Sequence, residues 1–281
     1  MDYTIQKPLI KWVGGKHKLL HHLLTKFPTT INNYHELFLG GGSVLLGVLS
    51  AQENKKITIK GKLYAYDSNP VLIAFYNTVK TDWKNLLHKI NIIKALETND
   101  NYTKEEYYYK LREEYNKNNE LDLIKVAQFV YLNKTCFRGI FRLNKSGGFN
   151  VPYGNYKKPG IADPKEYEKV SNLIQNVEFI CSDFEHVDIH SKKDFVYMDP
   201  PYVPEKKDSF VAYDKVGFTE EKHNALFDKC AKMKCKWVMS NSNTEPVRDK
   251  LKKFNIVEIN ARRAINSKNP AAKTKEVVVY N

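Results

Sequence analysis

The sequence predicts an α/β protein built on a doubly wound, mostly parallel sheet that carries an inserted helical segment, and three patterns predict it. Short apolar runs rich in strand formers alternate with helical stripes at both ends of the chain. From about residue 81 to 162 that alternation gives way to helical stripes alone, followed by a basic, glycine-bearing stretch. After Asp163 it resumes and closes on two strand-like runs, Ile256 to Asn260 and Glu276 to Tyr280, expected to form an antiparallel pair. The expected organisation is a sheet domain of residues 1–80 and 163–281 with an insert of residues 81–162.

The N-terminal stretch Leu9-Ile10-Lys11-Trp12-Val13-Gly14-Gly15-Lys16 is apolar and aromatic up to its paired glycines. Its Gly-Gly-Lys lacks the Gly-x-x-x-x-Gly-Lys-Ser/Thr spacing of a triphosphate loop, which excludes that class. What remains is a turn where a ligand or backbone comes close, with Trp12 as a flat surface and Lys16 as a cation. Trp12 as ordinary core reads equally well. A helix from about His17 to Phe27 is expected, with Leu19, Leu20, Leu23 and Leu24 on one stripe.

Tyr34 to Phe38 reads as a strand that runs into Leu39-Gly40-Gly41-Gly42-Ser43 and then a helix through about Ala51. Strand, glycine loop and helix together let backbone approach a bound cofactor near a helix N-terminus. A second strand, Leu63 to Tyr66, ends at Asp67, where an acid is placed to bind ribose hydroxyls or to cap the helix after Pro70.

Within the insert, Leu86, Leu87, Ile90 and Ile93, then Tyr107, Leu111 and Tyr115, then Leu123, Ile124, Ala127, Val130 and Tyr131 mark three successive helices. The stretch from Lys134 to Gly160 follows, with Lys134, Arg138, Arg142, Lys145, Lys157 and Lys158 but no Asp or Glu. Phe137, Phe141, Phe149, Tyr153 and Tyr156 are interleaved, and Asn144-Lys145-Ser146-Gly147-Gly148 predicts a hairpin. Such a hairpin can enter a major groove and read phosphates or guanine edges; a solvated basic loop is the plainer alternative. Arg262, Arg263, Lys268, Lys273 and Lys275 make a second basic run before Glu276, suited to gripping a nucleic-acid backbone.

After a helix through Leu173 and Ile174 come the strand Val177 to Cys181 and Ser182-Asp183-Phe184. Asp183 suits a short turn cap, with an amine of a bound cofactor as the alternative partner. The apolar run Phe195 to Met198 then stops at Asp199-Pro200-Pro201-Tyr202. Two prolines cannot continue a ladder, so a carboxylate, restricted carbonyls and an aromatic ring leave the sheet together at its carboxyl end. Asp199 and the Pro200 carbonyl can each accept one N–H of a planar amine such as that of adenine. That draws the nitrogen toward tetrahedral geometry and frees its lone pair, while Tyr202 stacks on the ring. A loop in which Asp199 only caps is the alternative. The helix Thr219 to Met233, the strand Lys236 to Ser240 and a helix near Pro246 to Lys252 complete the pattern.

Lys and Arg outnumber Asp and Glu by 45 to 32 over 281 residues, a formal charge of +13 that points to a polyanionic partner. Cys136, Cys181, Cys230 and Cys235 show no metal-binding spacing and no His cluster joins them, so reduced thiols and no metal are expected. The N-terminus lacks an apolar signal core and no run has the length of a membrane span, which predicts a soluble, cytoplasmic protein.

Taken in order, Lys11 to Lys16, Leu39 to Ser43, Asp67-Ser68-Asn69, Asn133 to Tyr156, Asp183, Asp199 to Tyr202 and Arg262-Arg263-Ala264-Ile265 resemble the Dam-like (D12 class) DNA adenine methyltransferases, over nearly the whole chain. The resemblance implies a Rossmann-like methyltransferase sheet with a target-recognition insert, S-adenosylmethionine as cofactor and double-stranded DNA as partner. It implies a cofactor site at Trp12, Lys16, Gly40, Gly41, Gly42, Ser43, Asp67 and Asp183, and a flipped-adenine site at Asp199, Pro200 and Tyr202. It places Lys11, Arg142 and Pro152 on the DNA-reading surface, where the basic residues Arg138, Lys145, Arg262 and Arg263 are added as candidates. Arg138 departs from the Asn expected in GATC-specific members; an Arg there can pair with guanine or alter how the gap left by the flipped base is filled, which leaves the target sequence open. The competing expectations are another amine acceptor (cytosine, RNA adenine or a glutamine amide) and a non-catalytic DNA-binding module.

Overall fold

The computed structural model describes residues 3–17, 19–97, 102–204, 218–262 and 273–281, the side chains of 261, 262, 273 and 274 excepted. Among them are the strands β1 Thr30–Ile31, β2 Tyr34–Glu36, β3 Thr58–Ile59, β4 Leu63–Asp67, β5 Val177–Cys181, β6 Phe195–Met198, β7 Lys236–Ser242, β8 Asn255–Arg262 and β9 Lys273–Tyr280. The helices are α1 Leu20–Leu24, α2 Ser43–Glu53, α3 Pro70–Leu96, α4 Lys104–Lys117, α5 Leu123–Thr135, α6 Pro164–Leu173, α7 Glu220–Lys232 and α8 Glu245–Leu251.

Seven strands form one sheet in the order β5-β4-β2-β6-β7-β9-β8; only β9 runs against its neighbours, pairing antiparallel with both β7 and β8. β2 pairs parallel with β4 on one side and β6 on the other. The chain first builds outward through β4 and β5, then returns to the far side of β2, so the strand order reverses between β2 and β6. In open α/β sheets ligands bind at such a reversal, beyond the carboxyl ends of the strands. Backbone pairing extends past the short β2: Leu37 N–H donates to Tyr197 C=O (3.1 Å) and Leu39 N–H to Tyr66 C=O (2.8 Å). These bonds deliver the glycine loop to the reversal point. β2 and β6 are wholly buried, as strands covered on both faces must be.

Local chemistry accounts for several helix starts. Thr103 and Glu106 close a capping box on α4, while the Asp122 and Asp163 carboxylates accept N–H bonds at the starts of α5 and α6. α1 is shorter than the expected His17–Phe27 helix: Leu19 at its N-cap offers no side-chain acceptor, and the turn is over by Thr25. The first helix of the insert is a continuation of α3, kinked where Asp82 takes φ −149°, ψ 39°. Buried residues of α3, α4 and α5 belong to the same apolar core as α2, α6 and one face of the sheet. A second core, with Trp237, Leu226, Phe227 and Val247, fills the other face.

Candidate active site

At the carboxyl end of β6, Asp199 meets Lys16. Its Oδ2 lies 2.8 Å from the ammonium, which also donates to the Gly14 carbonyl (2.6 Å) and sits 4.9 Å from the Tyr202 ring centroid. Asp199 Oδ1 is buried and has no hydrogen-bond partner among the described residues. At the strand reversal that oxygen keeps its capacity to accept a hydrogen bond from a bound group. Burial pushes the Asp199 carboxyl up to about 6, with the Lys16 cation opposing and Glu276 adding to the rise. Pro200 is buried beside it. Tyr202 donates its hydroxyl to Glu276 Oε2 (2.8 Å), and the next residue is pinned to β7: Val203 N–H donates to Asn241 Oδ1 (3.2 Å) and Ser242 Oγ donates to Val203 C=O (2.7 Å).

The loop after β2 approaches this point from the other strand. Gly42 has φ +70°, and a Cβ there would collide with the Tyr76 hydroxyl, which donates to Gly41 C=O (2.7 Å). A Cβ on Gly41 would lie 2.6 Å from Trp12 Cβ, and one on Gly40 3.0 Å from the indole. Trp12 therefore rests directly on the loop, and its indole stacks on Phe141 of the insert (5.5 Å, 21°). Asp67 accepts the N–H of Gly40 and that of Asn69, both at 2.9 Å. It thus ties the loop to the start of α3, where Asn69 rather than Asp67 is the N-cap residue, and its carboxylate keeps acceptor capacity beyond those two bonds. Ser43 Oγ, at the first turn of α2, is buried and without a partner among the described residues. Asp183 accepts the N–H of Glu185 (3.1 Å), as expected of a turn cap, and pairs with Lys222 at 2.7 Å. Phe38, Phe184 and Phe218 form an aromatic cluster whose ring centroids lie 5.4–5.8 Å apart.

The basic stretch folds as a hairpin. Leu143 bridges Phe149, Cys136 bridges Tyr153, and Gly147 turns the tip at φ +88°. The backbone of Lys11 is clamped by Asn133, whose Oδ1 accepts Lys11 N–H (2.9 Å) and whose Nδ2 donates to Lys11 C=O (2.8 Å). The Lys11 ammonium lies 3.8 Å over the Tyr156 ring. Arg138 stands in the left-handed region at φ +58°, next to Gly139 at +64°, and is exposed with its guanidinium over Phe137. Arg142 is exposed and held by Asn150, Pro152 accepts Phe137 N–H (2.8 Å), and Lys145 projects at the tip. Lys11 packs against Gly139, the residue after Arg138, and Pro152 bonds Phe137, the residue before it, whereas Arg142 is held apart from them by Asn150. Arg262 ends β8, and Arg263 lies outside the described residues.

Sequence reasoning missed Glu36, Tyr34, Lys222 and Glu276. Glu36 is buried at the end of β2, accepts the Tyr34 hydroxyl (2.6 Å), and is pushed up to about 8 by burial. An acid at the last position of an apolar strand was a usable signal. Glu276 had none, because its place depends on how β9 registers against β7. Among the described residues no group of three His, Cys, Asp or Glu could hold a metal, and no helix is long and apolar enough to cross a membrane. All four cysteines are free.

A doubly wound sheet with one reversed strand, a glycine loop and a carboxylate at the reversal point is the architecture of proteins that bind a nucleoside-bearing ligand beyond the carboxyl ends of the strands. Comparison with known proteins is narrower: the family model for D12 class N6 adenine-specific DNA methyltransferases matches residues 12–265, and the chain belongs to that family. It is 40% identical over 276 residues to the type II methyltransferase M.MjaIII of Methanocaldococcus jannaschii, covering 93% of each chain. It is 30% identical to the DNA adenine methylase of Escherichia coli K12, covering 93% of this chain and 90% of that one. Among solved structures, the 23S rRNA methyltransferase ErmE matches at TM-score 0.41 and 10% identity, over 96% of this chain and 68% of that chain. The protein is an adenine-specific DNA methyltransferase, and its cofactor is S-adenosylmethionine.

Proposed function

We propose that the enzyme binds duplex DNA through the insert, residues 81–162, and the basic segment between β8 and β9, turns one adenine out of the stack at a short palindromic site, and methylates its N6. Flipping follows from the chemistry, because the amine is shielded within a paired duplex. Asp199 Oδ1 accepts one N–H of the extruded adenine and the Pro200 carbonyl the other, which frees the nitrogen lone pair. Tyr202 stacks on the base. Lys16 holds Oδ2 and keeps the carboxylate ionised. When bound, S-adenosylmethionine supplies a methyl group made electrophilic by its sulfonium. The chain's own residues fit that cofactor: the unpartnered Ser43 Oγ, the spare acceptor capacity of Asp67, Asp183, and the glycine loop under Trp12 supply donors, acceptors and close backbone. Lys11, Arg142, Lys145 and Pro152 read and grip the duplex with Arg262 and Arg263. Arg138, where GATC-specific members are expected to carry Asn, adds a basic side chain to the reading surface or fills the gap left by the flipped base. A cytoplasmic setting, without membrane or metal, belongs to this reading.

The observation that carries it is the unpartnered Asp199 Oδ1 beside an ion-paired Oδ2 at the strand reversal. Asp199→Ala is expected to lower the single-turnover methylation rate by about a thousandfold or more while cofactor affinity stays within about threefold. Methylation at the wild-type rate by the variant refutes the role. Locating methylated adenines in a mixed-sequence duplex library identifies the site.

A further inference from the structure

Tyr202 is held at both ends. Its backbone follows two prolines, and its ring reaches across to β9, where the hydroxyl donates to Glu276 Oε2 at 2.8 Å. Glu276 is the register partner of Ser242 on β7, the residue whose Oγ donates to Val203 C=O (2.7 Å). Asn241, one residue earlier on β7, receives Val203 N–H (3.2 Å). One rung of the β7–β9 ladder therefore fixes both the chain leaving the active-site loop and the far edge of its aromatic ring. A tyrosyl ring attached only at Cβ swings about χ1; tethering its para oxygen, which lies on the χ2 axis, fixes where the ring sits beside a base.

We propose that Glu276 is a positioning residue for methyl transfer: its carboxylate fixes the position of the Tyr202 ring through the hydroxyl hydrogen bond and adds negative charge beside Asp199. This rests on the reading of Asp199 and Tyr202 as the adenine site. The groups that face Asp199 are Lys16 from the N-terminal turn, Glu36 at the end of β2, Tyr197 on β6, Tyr202 in its own loop and Glu276 on β9. Of these, Lys16 and, less strongly, the Tyr202 hydroxyl draw the Asp199 carboxyl down, and Glu276 raises it in the same direction as burial. Two separable consequences follow. Losing the hydrogen bond slows chemistry, whereas losing only the charge of Glu276 moves the acid limb of the rate profile toward lower pH.

The test uses the full chain with duplex DNA, single-turnover methylation from pH 5 to 9, and cofactor binding by calorimetry. Tyr202→Phe and Glu276→Ala break the same bond from opposite sides. Each is expected to lower the rate about tenfold, and the double variant to be no slower than the slower single one. Glu276→Gln keeps an acceptor for the tyrosyl hydroxyl, so its rate at the optimum is expected within about threefold of wild type, with the acid limb lower by about half a unit or more. Cofactor affinity is expected unchanged throughout. Additive losses in the double variant, or an unmoved acid limb in Glu276→Gln, overturn the assignment of Glu276. If Asp199→Ala is inactive while these variants behave as wild type, the active-site reading stands and the Glu276 proposal falls. If Asp199→Ala stays active, the reading itself fails.

Discussion

The strand reversal and the hairpin of the insert handle charge in opposite ways. At the reversal, Asp199, Glu36 and Lys16 sit in a largely dry setting, and two of the three have affinities for protons far from their ordinary values or from water's control. On the hairpin, Arg142, Lys145, Lys157 and Lys158 are exposed. Low dielectric makes each charge at the first region strong, expensive and position-sensitive, while water and salt screen those of the second. On the proposed function the lesson is a division of labour: single substitutions at the reversal are expected to change chemistry or folding, and those on the hairpin to change grip.

Beyond the loss expected for Asp199→Ala, Gly42→Ala is the harshest test of the buried region. It forces a Cβ into φ +70° and against the Tyr76 hydroxyl, so a loss of about 2–3 kcal/mol in chemical denaturation is expected. Stability within about 0.5 kcal/mol of wild type would show that the loop yields freely. Glu36→Gln sharpens the comparison by a different route. With its folded pKa raised to about 8, protonated Glu36 adds stability that is complete below its ordinary range and is lost as pH rises through about 8. The amide is expected to remove this dependence and to leave the variant more stable than wild type by about 1–3 kcal/mol at pH 9, with little difference at pH 4. Equal pH dependence of the two melting curves would contradict the assignment of a neutral Glu36.

Lys16→Met removes the cation facing Asp199, so the acid limb of methylation, expected near pH 6, should rise by about 1–2 units. The sign is fixed: without the ammonium the carboxyl holds its proton to higher pH, and the reactive ionised form appears later. A limb that stays or falls breaks the link. The smallest effect belongs to the hairpin. Lys145→Ala is expected to weaken duplex binding only a few-fold at 0.15 M salt and to lower the slope of log K against log salt by about one unit. A large loss of single-turnover rate at saturating DNA would erase the contrast between the two regions.

Much of the framework was legible because its causes are local. Leu39 to Ser43 follows a strand and starts a helix, Asp67 ends the next strand, and the proline pair after Met198 must leave the sheet; each needs only a few neighbours in sequence. Interleaved glycines around Lys145 gave the hairpin for the same reason. What escaped depends on partners far along the chain. The Tyr202–Glu276 bond spans 74 residues and needs β9 to enter antiparallel beside β7 in one register. The Lys222 partner of Asp183 lies 39 residues on, and nothing in its own helix marks it. Helix limits were the other weakness: leucines at helical spacing recommended His17 to Phe27, but without a capping side chain only Leu20–Leu24 holds the geometry.

Trp12 contacts both the glycine loop and Phe141, and Phe141 in turn touches Phe149 of the hairpin (5.6 Å). A recognition module grafted from a relative would bring its own residue to the Phe141 position and press an unfamiliar ring, or none, onto the indole. Chimeras that retarget this scaffold are thus expected to need matched exchange at both aromatic positions, since reading head and catalytic floor share one joint.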